Sequence, residues 1–385
     1  PGNTRCVVVT PAGRTVRNEP PQDIAFRLAS STRPLPDPDL SGNPDALRSL
    51  LGWTAIDQRW LLTRGWLAAA LLPDIARPML FFHGRAGPSK TTKAVTIISV
   101  LDPRDELGSS FGKNERDEVA MASNRYLIGF DNVSRASEET SDRLSRLVTG
   151  TSDERRILYS DNDQFVVSFR RTGVITGLSV PGFKSDALER IIQLQCESIP
   201  SQQRRSEQAI VEERKEKHPV ALGAVLTALE TILGNLPESK ARMGGKPRMA
   251  DFSDALHALD PAIAEAFAES SSDAMVDAAE SDPFVTTIKR WLEHETRPLR
   301  LTATEARTRA ERHREIRDRD LNAWWPKDAR AFAGALIRQA GPLEAVGVRA
   351  TSTRTGRSRA WLFEHTNESG AQVQVPSPVD GEEDF

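Results

Sequence analysis

The residues best suited to chemistry lie in one short stretch. His83–Thr92 reads HGRAGPSKTT and almost matches the phosphate-loop pattern G-x-x-x-x-G-K-S/T. Gly84, Lys90 and Thr91 are in register, and Ser89 stands where the last glycine belongs. Such a loop holds phosphates on free backbone N–H groups at a helix N-terminus. Lys90 would reach the β- and γ-phosphates of ATP, and Thr91 would offer its hydroxyl to Mg²⁺. Gly84 and Gly87 permit the sharp turn. The candidate nucleotide contacts are therefore Gly84, Gly87, Ser89, Lys90, Thr91 and Thr92. Ser89 adds a Cβ where the backbone must hug phosphate, and Pro88 lacks an N–H, although serine is at ease at a helix start. The competing reading is a Gly/Pro turn with a surface lysine.

A nucleotide site also needs a second strand that ends in an acid. Tyr126–Phe130 is an apolar run ending in Asp131, so Asp131 is the candidate Mg²⁺ ligand, with Thr91 beside it; otherwise it is a strand-end turn residue. Asn132 follows, where a glutamate often stands. Asparagine can orient a water but cannot take its proton. These residues require elements to hold them. Met79–Phe82 is a run of strand length immediately before the loop, and Thr91–Leu101 is a helix stopped by Asp102-Pro103. Gly173–Thr176 follows an expected hairpin of Arg156–Ser160 and Gln164–Phe169, and Ile191–Cys196 closes the block. Strands alternating with helices predict a parallel sheet covered on both faces, hence an α/β fold.

Around this block the pattern changes. Residues 5–40 combine a β-like run at Cys6–Thr10 with many prolines and predict an extended segment with a hairpin. Residues 44–72 have helical periodicity up to Pro73 and Pro78. Residues 200–235 read as helices, 237–248 as a linker loop and 249–281 as helical. From Phe284 come helix 284–294, a capping-box start at Thr302 and Glu305 with helix 303–314, helix 327–340, and strands Val346–Thr353 and Arg359–His365 flanking a basic turn. That is the order of a winged helix-turn-helix.

Composition bounds the partners. The 385 residues suggest two or three domains. No apolar run was expected to reach the roughly 18 residues that cross a bilayer, so no membrane partner is expected. Cys6 and Cys196 form no disulfide framework or metal-spaced cluster and read as idle thiols of a reducing cytoplasm. The chain starts at Pro1, which reads as a piece of a longer polypeptide. The net charge of −3 conceals segregation: Lys289–Arg359 holds 17 Lys+Arg against 9 Asp+Glu, and the tail after Phe363 is acidic. On the last helix Lys327, Arg330 and Arg338 project outward, and Arg349, Arg354, Arg357 and Arg359 lie on the wing. They suit a helix in a major groove with a wing on phosphate, or else form a solvated face or a protein docking site. Ala331, Leu336 and Ile337 are expected to form the apolar face, with Trp324 and Trp325 as core anchors. Arg307–Arg319 alternates in sign and reads as an exposed, ion-paired helix rather than a DNA site.

Several segments together resemble the superfamily 3 (AAA+) helicase-type ATPases of bacterial mobile elements, particularly actinobacterial primase-helicase-like proteins. They are Leu80–Pro103, Ala122–Gly150, Arg155–Asp163, Thr172–Leu194, Arg248–Asp260 and Trp325–Val348, in register over most of residues 5–365. The resemblance implies an AAA+-type P-loop ATPase core with a central parallel sheet, a helical N-terminal collar and a C-terminal winged-helix domain. Its boundaries fall at 1–72 for the extended segment and collar, 73–200 for the core, 201–283 for a helical region and linker, 284–365 for the winged helix and 366–385 for an acidic disordered tail. Lys90 and Thr91 resemble the Walker A pair and Asp131 the Walker B acid. Thr176 lies where a sensor asparagine usually stands. Arg190 is similar to an arginine lent to the γ-phosphate of a neighbouring subunit, which implies a ring, typically a hexamer. The hairpin at 156–169 resembles one that grips DNA in the central pore; its tip carries Asp161 and Asp163, so Arg155, Arg156 or Arg170–Arg171 would supply the phosphate contact, or else form a solvated face. Catalytic roles therefore fall to Lys90, Asp131, Asn132, Thr176 and Arg190, and DNA contacts to Arg155, Arg156, Lys327, Arg330, Arg354 and Arg357. The expected activity is that of an ATP- and Mg²⁺-dependent DNA helicase or translocase in mobile-element replication, with a primase-polymerase domain upstream as an expected associate. Ser89 and Thr176 depart from the family pattern and imply slow hydrolysis; the rival reading is a DNA-bound initiator or scaffold with a degenerate nucleotide site.

Overall fold

The computed structural model describes residues 5–22, 24, 32–53, 55–84, 89–104, 106–108, 111, 115–134, 136–156, 164–178, 183–197, 199, 202, 204–241, 249–315, 324–355 and 358–366. The chain divides into two compact units, Pro1–Ala274 and Met275–Phe385.

The first unit opens with an antiparallel hairpin, β1 (Cys6–Thr10) and β2 (Gly13–Arg17). Two helices follow where one helical region was expected: α1 (Pro44–Leu50) and α2 (Gln58–Ala69). Gly52 in the left-handed region and Asp57, whose side chain accepts the Trp60 N–H at 3.1 Å, stop one helix and start the next. The sheet unit comprises β3 (Met79–His83), α3 (Ser89–Leu101), α4 (Glu115–Asn124), β4 (Leu127–Phe130), α5 (Glu138–Thr149), β5 (Thr151–Arg156), β6 (Gln164–Phe169), β7 (Thr172–Thr176), α6 (Ser185–Leu188) and β8 (Ile191–Gln195). The order β4-β7-β3-β8 is parallel throughout. The three strands β3, β4 and β7 are buried along almost their whole length, as the continuous apolar runs require of a sheet covered on both faces. Helix α3 packs on β3, β4 and β7, while α2 packs on β8.

Pro78 ties the helical and sheet layers together. Its carbonyl accepts the indole N–H of the fully buried Trp66 and the hydroxyl of Thr172, both at 2.7 Å. The outer edge of β4 is held by a buried ion pair. Asp102 accepts the Leu127 N–H at 3.2 Å, and Arg104 donates to the Leu127 carbonyl at 2.6 Å and to Asp102. The hairpin β5–β6 begins earlier than expected, pairing Thr151 with Phe169 and Arg156 with Gln164. Its acidic tip, with Asp161 and Asp163, lies outside the described residues. Arg170 and Arg171 are consumed by the fold: Arg170 donates to Thr149 O and Asp74 O, and Arg171 to Ala122 O and Arg125 O. Burial lowers the Arg171 pKa. These two arginines therefore brace the base of the hairpin.

Helix α7 (Glu207–Ala241) runs unbroken through Pro219 and Pro237, where shorter helices and a linker from 237 were expected. Its apolar stripe, Ala221, Leu222, Val225, Leu226, Ala228, Leu229 and Ile232, repeats at helical spacing and offsets the two prolines by packing on α1, α2 and then α8 (Ala250–Leu259). This helix also corrects the membrane reading. By length and composition it holds an 18-residue window apolar enough to span a bilayer. Of that window 44% is buried inside the unit. The unit ends in α9 (Pro261–Ser281), whose start at Pro261 breaks the helical stretch from 249 into two.

The second unit contains α10 (Pro283–Glu293), β9 (Leu299–Leu301), α11 (Ala303–Glu311), α12 (Ala329–Arg338), α13 (Ala340–Ala345), β10 (Val348–Thr355) and β11 (Ser358–His365). The three strands form an antiparallel sheet in the order β10-β11-β9. The capping box is present at α11, which closes at Glu311 rather than 314. Arg307 bonds Pro326 O and pairs with Glu311, and Arg309 pairs with Glu295, as expected of an ion-paired helix. Phe284, Trp291, Phe332 and Phe363 centre the core. On α12 the buried face is Phe332, Ala335 and Leu336; of the expected Ala331, Leu336 and Ile337, Leu336 is buried, Ala331 is half-buried and Ile337 is 68% exposed. The register turns because Asp328 caps the helix by accepting the Ala331 N–H, which points Phe332 inward against Phe284. Trp325 packs partly into the core, whereas Trp324 is 56% exposed and does not anchor it.

Candidate functional site

Three adjacent strands of the parallel sheet deliver the candidate residues to one edge. Because β7 lies between β3 and β4, its last residue Thr176 comes to rest between the loop after β3 and the acid after β4. The Thr176 hydroxyl donates to Asp131 Oδ1 at 2.5 Å and accepts the Asn132 N–H at 2.9 Å. Thr91, in the first turn of α3, donates to the same Asp131 Oδ1 at 2.9 Å. One carboxylate oxygen is thus fixed by two hydroxyls from two other elements. Hydrogen bonds of a hydroxyl to an ionised carboxylate are the strong kind.

The loop is seated on both neighbouring strands. Cys196 N–H reaches His83 O at 2.7 Å, Gly177 N–H reaches Phe82 O at 3.0 Å, and Gly84 N–H reaches Leu178 O at 3.2 Å. Gly84 has φ +142°, and a Cβ there would stand 2.3 Å from the Cys196 carbonyl oxygen. Only glycine fits. Ser89 and Lys90 are buried in the first turn of α3, Thr92 is half-buried, and Lys90 Nζ donates to Gly84 O at 3.1 Å. Ser89 is therefore accommodated as a helix-opening residue. Gly87 and Pro88 lie outside the described residues.

Asn132 has φ +55°, one of the few side-chain-bearing types at ease in the left-handed region. The bend turns its N–H onto Thr176 and leaves the residue exposed. Arg190 lies at the opposite end of the sheet, just before β8, which is five residues long, or about 16 Å. It is buried, salt-bridged to Asp186 Oδ1 at 2.7 Å, and its Nε has no hydrogen-bond partner among the described residues. The chain thus brings Lys90, Thr91, Asp131, Asn132 and Thr176 together and keeps Arg190 apart. The backbones of Arg155, Arg156 and Arg354 lie in hairpin strands, Arg357 lies outside the described residues, and Lys327 and Arg330 are exposed in the second unit.

The sequence reading missed a cationic flank of the loop. Lys93, one position beyond Thr92, places its Nζ 5.4 Å from the ring centre of Trp53, with the Arg59 guanidinium at 6.0 Å. Trp53 in turn stacks on Phe82 of β3 at 6.4 Å. Burial lowers the Lys93 pKa. The Lys-Thr-Thr-Lys spacing was the available signal, since it puts a second lysine one helical turn after the first.

As to metal, the donor set of a threonine hydroxyl and an aspartate carboxylate, both hard oxygens, fits Mg²⁺. Among the described residues no group of three or more His, Cys, Asp or Glu forms any other metal cluster.

Comparison with known proteins places these features in a family. No curated protein matches. Among solved structures, an apo form of the NrS-1 C-terminal region is 11% identical, with 89% of this chain and 80% of that chain covered at a TM-score of 0.38. A second apo structure of that region, residues 305–718, is 10% identical, covers 89% and 79%, and has a TM-score of 0.39. A JCV helicase crystallised with a small molecule is 16% identical, covers 64% and 71%, and has a TM-score of 0.23. At such scores these likenesses carry no argument. The family model described as actinomycete integrative conjugative element replication protein matches residues 45–282, from α1 to the Asp282 cap of α10, and so takes in the whole parallel sheet and more than half of the chain. The chain belongs to the actinomycete integrative conjugative element replication protein family.

Proposed function

We propose that this chain is an ATP-dependent DNA helicase or translocase that works as a ring, typically a hexamer, in the replication of an integrative conjugative element. The observation that carries the reading is the convergence of Thr91 and Thr176 on Asp131 at the carboxyl ends of adjacent parallel strands, directly beside the Lys90 turn. Open α/β sheets bind their ligands at that edge. Lys90 would hold the β- and γ-phosphates of ATP, and the N-terminus of α3 would add backbone donors. Thr91 and Asp131 would hold Mg²⁺, which when bound neutralises charge on the transferring phosphoryl group. Thr176 acts as a positioning residue for Asp131, because its single proton is already committed to that carboxylate. Asn132 would orient the attacking water. Arg190 lies a strand length away from its own chain's site, so its contact with a γ-phosphate would come from a neighbouring copy, after release from Asp186. In the second unit, the order of α10, α11 and α12 and the antiparallel sheet β10-β11-β9 support a winged helix that contacts DNA through Lys327, Arg330, Arg354 and Arg357.

A second reading is favoured by one specific observation. With the Thr176 hydroxyl bound to Asp131, the site lacks an uncommitted sensor side chain at that position, which suits a DNA-bound initiator that holds nucleotide and hydrolyses it slowly.

Calorimetric titration of ATP into the protein, with and without Mg²⁺, tests the nucleotide site. Mg²⁺-dependent binding that disappears in Lys90→Ala and weakens in Asp131→Asn is expected from both readings. Equal binding by wild type and Lys90→Ala would remove the nucleotide site and both readings with it.

A further inference from the structure

Among the described residues, the second unit exposes one large aromatic ring. Trp324 is 56% solvent-accessible, and the guanidinium of Arg338 lies 5.7 Å from its ring centre. Its inner side is braced by Phe284, with ring centres 6.2 Å apart at 59°. Helix α12 continues the surface. Arg330, Gly334, Ile337 and Arg338 fall at i, i+4, i+7 and i+8, a single stripe opposite the buried Phe332, Ala335 and Leu336. Gly334 carries no side chain to interrupt that stripe: a Cβ there would meet Arg338 Nη1 at 3.2 Å. Ile337 is 68% exposed.

Charge decides what this surface suits. Between Trp324 and Gln339 the cations are Lys327, Arg330 and Arg338, and the single acid is Asp328. Asp328 is occupied by its capping bond to the Ala331 N–H. Lys327 and Arg330 are exposed and have no acidic partner among the described residues. A protein partner would need an acidic surface with an aromatic-binding pocket. A nucleic acid supplies both required features by its own chemistry, phosphate for the cations and a flat π-face for the indole. Duplex buries its base faces, so only an unpaired base can lie on the ring.

We infer that Trp324, with Arg338 beside it, is a stacking site for an unpaired base of single-stranded DNA, with Lys327 and Arg330 on the adjoining phosphates. This inference rests on the reading that the second unit contacts DNA, and it adds strand form and a specific base contact to it.

The test uses the full chain. Anisotropy titrations with a labelled single-stranded oligonucleotide and with a blunt duplex of the same length are compared for wild type, Trp324→Leu, Trp324→Phe and Lys327→Ala/Arg330→Ala. Leucine keeps apolar contact with Phe284 but cannot stack; phenylalanine keeps a stacking face. Trp324→Leu is expected to lose about five- to 150-fold in single-strand affinity, the loss that follows from removing one base–aromatic stack. Its duplex affinity should change less than twofold, and Trp324→Phe should recover most of the loss. The double cation variant should weaken both ligands and lower the salt dependence. An unchanged single-strand affinity in Trp324→Leu, with wild type still binding DNA, would overturn the stacking site alone. An equal loss on both ligands would overturn it too, and would place an ordinary duplex or structural contact there. If wild type binds neither ligand and instead binds an acidic peptide, the DNA reading of this unit fails with the inference.

Discussion

Replacing Thr176 with valine should expose what holds Asp131 in place. The two side chains have nearly the same shape, so the 2%-exposed site keeps its packing while losing one hydroxyl. That hydroxyl makes a 2.5 Å bond to Asp131 Oδ1 and accepts the Asn132 N–H at 2.9 Å. A hydrogen bond to a charged group contributes about 1.5–3 kcal/mol, and a neutral one about 1 kcal/mol. Water reaches the exposed Asn132 and recovers part of the second term. The expected destabilisation is therefore about 2–4 kcal/mol by urea denaturation. Thr91 still anchors the carboxylate, so the site survives in weakened form, and Mg²⁺-dependent ATP turnover should fall by about 10- to 100-fold, as for lost partners of metal ligands elsewhere. Thr176→Ser keeps the hydroxyl and should retain most of both properties. The reasoning is refuted if Thr176→Val matches wild type in stability and turnover, or if Thr176→Ser falls as far as valine does.

Three other outcomes follow from particular contacts. Asp102→Ala leaves Arg104 buried without its carboxylate and releases the edge of β4, so unfolding should become about 3–5 kcal/mol easier, and Asp102→Ala/Arg104→Met should regain part of that loss in the same denaturation assay. His218 is half-buried and bonded to Val100 O, and burial lowers its pKa below the unfolded value near 6.5. Between the two values the unfolded chain binds more protons, so this contribution is complete above about pH 6.5 and is lost as pH falls, by at most about 1.4 kcal/mol per unit; His218→Gln should flatten that slope in denaturation curves recorded from pH 7.5 to 5. Arg190→Ala and Lys90→Ala should each lack turnover, while an equimolar mixture regains a fraction of it, because a Lys90→Ala copy can lend its arginine to an intact Lys90 site; a mixture as inactive as its components contradicts an arginine acting between copies.

The elements of the sheet were legible because β3 and β4 are short, nearly continuous apolar runs bounded by turns, as two-sided burial demands, and β7 and β8 carry the same signal less purely. The loop and Asp131 were legible for the same reason: glycine, lysine, threonine and a strand-end acid carry local signals. What joins them was not. Thr176 and Asp131 are 45 residues apart, and only the insertion of β7 between β3 and β4 makes them neighbours. Asn132 read as a replaced glutamate, whereas its left-handed backbone is a local reason for asparagine. Arg170 and Arg171 read as a phosphate contact or a solvated face, yet both donate to backbone carbonyls at the base of the hairpin. On α12, the spacing alone allowed either Phe332 or Ile337 inward; the Asp328 cap and the aromatic cluster around Phe284 selected Phe332 and left Ile337 and Trp324 on the surface. Helix α7 outran its prolines because burial of a long apolar stripe outweighs two missing backbone donors.

The central claim is that the Lys90–Thr91–Asp131 site turns over ATP in the service of DNA. Steady-state ATP hydrolysis by the purified chain, with and without single-stranded DNA and beside Lys90→Ala, tests it most directly. The account predicts Mg²⁺-dependent turnover that rises when single-stranded DNA is added and is absent in Lys90→Ala. Turnover no higher than that of Lys90→Ala, with DNA present, would contradict the motor and leave the slowly hydrolysing DNA-bound initiator in its place.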